Sequence, residues 1–309
     1  MAITDATRLA LEELDFRLKT VLPEEYRDRY EDVQPVSMGS AGLKYAADGQ
    51  VAWNEMWKTF CDLAMAGGPP HKGTLLEPAT RDEVDAHPDR YTLVTDEICR
   101  GVAMVTELIV RPSPRPGWVR VSCFSEAMAG WLLRAIVMEN VSARAEGLGL
   151  DLPASPHFRV EKEIKNVVTV AAKTCHYWLG HMPRTQKQTI AVLFDAMAKA
   201  TPLIEPEWPD DGVHSGPLED LGGGIAAAVQ RETKLPRSPH RYRGWVGIEC
   251  PNVRAAVWIM RAIVMCNVLS RREGTAVFVP INAATDPGGT AVTRAVAWCH
   301  GLAVARGVV

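Results

Sequence analysis

The sequence predicts an α/β fold built by tandem duplication of a roughly 100-residue helix-strand-helix-strand-helix unit, packed with pseudo-twofold symmetry and preceded by an N-terminal helical segment. Three observations carry this. Residues 117–153, GWVRVSCFSEAMAGWLLRAIVMENVSARAEGLGLDLP, align without a gap with residues 244–280, GWVGIECPNVRAAVWIMRAIVMCNVLSRREGTAVFVP. Apolar residues in both copies switch between the periodicity of a strand and that of a helix. A chain of 309 residues that is 47% hydrophobic and 23% charged has enough apolar surface for one large core or two ordinary ones.

Residues 1–33 read as an amphipathic helix and a charged turn, with Leu9, Leu11, Leu14, Phe16 and Leu18 apolar and Pro23 closing it. Gly39, Gly42 and Gly49 then mark a loop of small residues that lacks the phosphate-loop spacing. Trp53 and Trp57 stand four apart, the spacing of a shared helix face, before Gly67, Gly68, Pro69 and Pro70 end the element and leave His71 and Lys72 on a loop. The boundaries that result are an N-terminal segment over 1–70, repeat units over 71–183 and 202–309, and a linking helix over 184–201.

Each repeat reads as an entry helix (95–108 and 218–233), a strand (117–123 and 244–250) and a long helix (125–146 and 252–273). A short strand (148–152 and 276–280) and a final helix (160–181 and 288–305) complete it. Strand, helix, strand is a crossover unit, so the two strands of each copy are expected to be parallel. Leu75-Leu76-Glu77-Pro78 and Leu203-Ile204-Glu205-Pro206 extend the likeness upstream.

A formal charge of -3 supplies no field for a polyanion, so nucleic acid is not the expected partner. Arg134 and Arg261 interrupt the best apolar runs, which argues against a membrane span, and the N-terminus lacks the apolar core of a signal peptide. Seven cysteines without framework spacing fit reduced thiols and a cytoplasmic location.

Four groups of residues are candidates for chemistry. Asn140 with Arg144, and Asn267 with Arg271, repeat at a spacing of four; they would line a cleft for a carboxylate or phosphate, or else lock the repeat interface. Glu146 and Glu273 follow two residues after each Arg. Lys162, Asn166, Thr169, Lys173 and His176 recur at helical steps in the first copy, while the second keeps the Thr and His but not the lysines; the stripe offers donors to an anion and a proton-transferring imidazole, or is a solvated face. Cys175-His176 and Cys299-His300 provide the donor types of a metal site, although adjacent helical residues point about 100° apart. Arg111, Arg115, Arg237, Arg241 and Arg243, with Tyr242, crowd the loops before the repeated strands and suit a phosphate, a protein contact or plain surface.

The expected function is therefore an enzyme acting on a small anionic substrate between the duplicated halves. His176 would be its acid or base, Glu146 and Glu273 would orient the imidazole, and the Arg, Lys and Asn residues would hold charge. The competing expectation is a non-catalytic protein that recognises a protein partner or carries a cofactor. No cofactor is indicated, and self-association into a homo-oligomer is left open.

Overall fold

The computed structural model describes residues 4–27, 43–55, 74–208 and 218–309. The chain divides into two compact units, a contiguous one over 33–183 and a discontinuous one that joins 1–32 to 184–309. Both combine several helices with a small antiparallel sheet. The small-residue loop at Gly39 and Gly42, Trp57, and His71 with Lys72 lie outside the described residues.

In the contiguous unit, α2 (Arg81–Ala86) and α3 (Pro88–Thr106) precede β1 (Val110–Pro112) and β2 (Trp118–Ser122). They are followed by α4 (Glu126–Met138), β3 (Arg144–Glu146), β4 (Gly149–Pro153) and α5 (Lys165–His176). One π-helical turn, Val160–Ile164, leads into α5 and another, Tyr177–His181, follows it. The sheet order is β1-β2-β4-β3 with every neighbouring pair antiparallel. Helices α3 and α4 lie against this sheet, and α5 packs on both.

Local chemistry sets these boundaries. Thr80 and Glu83 form a capping box at α2, and Ser125 caps α4 by accepting from the Met128 amide, an interaction worth about 1 kcal/mol. Every residue of α4 from Trp131 to Met138 is buried, as expected of a helix that is apolar all round. The helix stops because Asn140 takes the left-handed conformation, with φ of 60°, at the position after the C-cap.

That stop corrects two expectations. The long helix does not run to 146, so Asn140 and Arg144 share no helix face; Asn140 ends α4 and Arg144 opens β3. The strands flanking the helix are also antiparallel, not parallel, with Trp118 opposite Pro153 and Ser122 opposite Gly149. The strand entered directly from α4 is β3. The chain then reverses at Gly147, where φ is 55°, and β4 inserts between β2 and β3. The Arg-Ala-Glu sequence of β3 has no apolar alternation to distinguish it from the end of a helix.

The discontinuous unit contains α1 (Asp5–Val21), α6 (Arg184–Ala200), α7 (Leu218–Thr233) and β5 (Trp245–Glu249). It continues through α8 (Val253–Val264), β6 (Arg271–Glu273), β7 (Ala276–Pro280) and α9 (Thr290–Ala305). Its sheet order is β5-β7-β6, again antiparallel, with Trp245 opposite Pro280. Helix α8 ends as α4 does: Asn267 has φ of 62°, and its side-chain amide donates to the Thr201 carbonyl at 2.8 Å. Arg271 consequently lies on β6, not on a helix face with Asn267. Upstream chain forms a parallel bridge at the matching place in each unit, Leu76 to Val141 and Ile204 to Val268.

Helix α1 belongs to this second unit and packs on α6, α8 and α9. The Gln186 amide donates to the carbonyls of Thr20 and Leu22, Arg17 donates to the Met265 carbonyl at 2.9 Å, and Arg306 pairs with Asp15 at 2.9 Å. Among the described residues no helix is long and apolar enough to cross a membrane.

Candidate anion-binding site

The chain from Arg237 to Gly244 runs beside β5 and is held there by its backbone. The Ser238 amide donates to the Gly247 carbonyl at 2.9 Å, the Glu249 amide to the Pro236 carbonyl at 2.8 Å, and the Trp245 amide to the Tyr242 carbonyl at 3.1 Å. Gly244 has φ of 73°, and a Cβ there would lie 3.1 Å from Pro206 and 3.2 Å from the Glu207 carbonyl, so glycine suits the turn on both counts. Arg237, Arg241 and Arg243 are exposed on this framework. With Tyr242, Trp245 and the first turn of α7 they line a cavity of about 270 Å³. Among the described residues none of the three guanidinium groups forms an ion pair. Glu219, in the first turn of α7, brings a negative charge to the same rim.

Behind Tyr242 lies a buried polar cluster. The Arg271 guanidinium, fully buried, is 4.3 Å from the ring centres of Tyr242 and Phe278 and 5.4 Å from that of Trp245. It donates to Glu273 Oε1 at 2.6 Å, while the Tyr242 hydroxyl donates to Glu273 Oε2 at 2.9 Å. Stacking on aromatic faces and a charge-assisted hydrogen bond offset the removal of this cation from water. Burial, then the Glu273 carboxylate, push the Tyr242 hydroxyl pKa up. Tyr242 thereby connects the exposed arginines to the buried Arg271-Glu273 pair.

The contiguous unit uses its arginines differently. Arg120 forms a two-pronged pair with buried Asp151 at 2.7 and 2.8 Å, and Arg115 donates to Glu146 at 2.9 Å. The Arg115 hydrogen bond, then its charge, lower the pKa of exposed Glu146. At the aligned positions of the other unit, Arg115 is replaced by Tyr242, Arg120 by Gly247 and Asp151 by Phe278. Glycine at 247 leaves room for the aromatic ring that replaces Asp151: a Cβ there would approach the Phe278 ring to 2.8 Å.

The Lys162 to His176 stripe is divided among unlike surroundings. Lys162 is exposed on a π-helical turn, and the Asn166 side-chain amide donates to the Lys162 carbonyl. Thr169 donates to the Lys165 carbonyl at 2.6 Å. Lys173 is fully buried and donates to Glu139 Oε1 at 2.7 Å, with Glu139 equally buried. His176 is exposed again, beside His181. Helical steps do not describe one face here, because the segment changes from π to α and back. Arg144 lies with its guanidinium carbon 5.9 Å from the Trp118 ring centre.

Nor do the Cys-His dipeptides point together. Cys175 is buried, its thiol pKa pushed up by burial and by Cys123, whereas His176 faces outward. Cys299 is buried with its sulfur 3.7 Å from that of Cys266, and its thiol pKa too is raised by burial; half-buried His300 has its pKa lowered by desolvation. Their raised pKa values keep both Cys175 and Cys299 as neutral thiols near neutral pH. Among the described residues no group of three or more His, Cys, Asp or Glu side chains is placed to hold a metal ion.

The sequence reading missed Glu139 as the partner of Lys173. The signal was present between the copies, since Glu139 aligns with Cys266 and Lys173 with Ala297, so both charges vanish together. For Arg237, Arg241, Arg243 and Tyr242 the sequence left a phosphate, a protein contact and plain surface open, because the cavity exists only once α7 and β5 are brought together. No family model matches the chain, and neither the curated proteins nor the solved structures include a match.

Proposed function

We propose that this protein binds a small molecule carrying a phosphate or carboxylate in the arginine-lined cavity of the discontinuous unit. One observation supports the reading above the rest: three guanidinium groups border one cavity with no ion pair among the described residues. A planar guanidinium fits either anion with two parallel hydrogen bonds, and Trp245 and Tyr242 add apolar wall for the remainder of a ligand. In this reading the two units are copies of one ancestral element. In the contiguous unit Arg115 and Arg120 are held in ion pairs, whereas Arg237, Arg241 and Arg243 form none among the described residues.

Binding without catalysis is the form favoured by the geometry, because Glu273 is engaged by Arg271 and Tyr242, and His176 by His181. Calorimetric titration with inorganic pyrophosphate and with citrate tests the site. Binding by the unsubstituted protein, weakened about tenfold or more by Arg241→Ala or Arg243→Ala, is the expected result, since a hydrogen bond to a charged group contributes about 1.5–3 kcal/mol. Equal affinity in the variants, or no binding of either anion, overturns the assignment.

A further inference from the structure

We propose that His176 and His181 form a surface chelate for a divalent transition-metal ion of the nickel or copper type, with water completing its coordination. The two residues are five apart, a spacing that in an α-helix would place them about 140° apart around the axis. They meet because the chain from Tyr177 to His181 is a π-helical turn, whose wider winding brings positions i and i+5 to one side.

The Nε2 atoms are 3.0 Å apart and the ring centroids 4.7 Å apart. Two nitrogens each about 2.1 Å from one ion and at a right angle to each other are about 3.0 Å apart, with ring centroids about 4.6 Å apart. A tetrahedral ion would require a nitrogen separation of about 3.4 Å, which disfavours zinc. A linear hydrogen bond between the rings would leave the centroids about 5.3 Å apart. The observed separations match those of two adjacent ligands of a square-planar or octahedral ion. Both histidines are exposed, so an ion reaches them without crossing the core. The proposal is independent of the anion cavity, which lies in the other unit.

Tag-free full-length protein, first dialysed against a chelator, is titrated with Ni(II) alone in a calorimeter, and the bound metal is measured after equilibrium dialysis. One equivalent is expected, with affinity reduced about tenfold or more in His176→Ala and in His181→Ala. Circular dichroism checks that the variants fold. Proton NMR of the unsubstituted protein reads the same pair without substitution, since bound Ni(II) broadens the ring signals of its own ligands first. Absence of binding, binding unaffected by both substitutions, or broadening confined to other residues would show the pair to be an imidazole hydrogen bond only and overturn the proposal.

Discussion

Replacing Lys173 with Met removes one member of a buried ion pair and leaves Glu139 charged in the core. Both side chains are at most 1% exposed and the Nζ to Oε1 distance is 2.7 Å. Breaking such a pair from one side costs about 3–5 kcal/mol, because the remaining charge keeps its desolvation penalty and loses the compensating attraction. Removing both charges while keeping volume, with Glu139→Leu added to Lys173→Met, is expected to leave stability unchanged or raised by about 1–4 kcal/mol. The other copy already carries this exchange in a smaller form, with Cys266 and Ala297 at the aligned positions. The assay is urea unfolding read by hydrogen exchange of peptides covering α4 and α5, which isolates the contiguous unit from the rest of the chain. A double-mutant cycle should return a coupling of about 3 kcal/mol or more. A single substitution costing less than about 1 kcal/mol, or a double variant as unstable as the sum of the singles, refutes the reasoning.

Gly247→Ala places a Cβ 2.7 Å from the Ser238 Cβ and 2.8 Å from the Phe278 ring, so thermal unfolding of the discontinuous unit should move to lower temperature by an amount equivalent to about 1–3 kcal/mol; unchanged unfolding would contradict the packing of Arg271 on Phe278. The buried and half-buried thiols give a pH dependence with a definite sign. Burial raises the pKa of Cys99, Cys123 and Cys250 from the ordinary 9.0 to about 12, so the stability they contribute is fully present below pH 9.0 and is lost as pH rises toward 12. Iodoacetamide at mildly alkaline pH should leave Cys175 and Cys299 unmodified in the folded protein and label both in urea; labelling of either in the native state at the rate seen in urea would refute their burial.

Much of the local structure was legible because its determinants lie within a turn or a strand of each residue. The span 218–233 read for the entry helix is that of α7, and 276–280 is β7. Caps such as Thr80, Ser125 and Asn252 explain where helices begin, and the apolar run of α8 explains its complete burial from Ala255 to Val264. Helix ends were harder: Arg, Ala and Glu after Asn140 are all good helix formers, so only the left-handed turn at the Asn separates α4 from β3. With β3 concealed, the strand order and direction were lost as well.

By itself the sequence determined the α/β content, the internal likeness of two segments and most helices, since these follow from periodicity and nearest-neighbour chemistry. Tertiary structure decided which charges are available. Lys173 and His176 were one polar stripe on paper, but an ion pair across the core absorbs the first while a π-helical turn pairs the second with His181. Arg271 and Arg243 looked equivalent as cations, yet one is enclosed by aromatic rings and a carboxylate and the other faces an open cavity. Solvation and partner choice depend on contacts tens of residues apart, and those come into existence only when the chain closes.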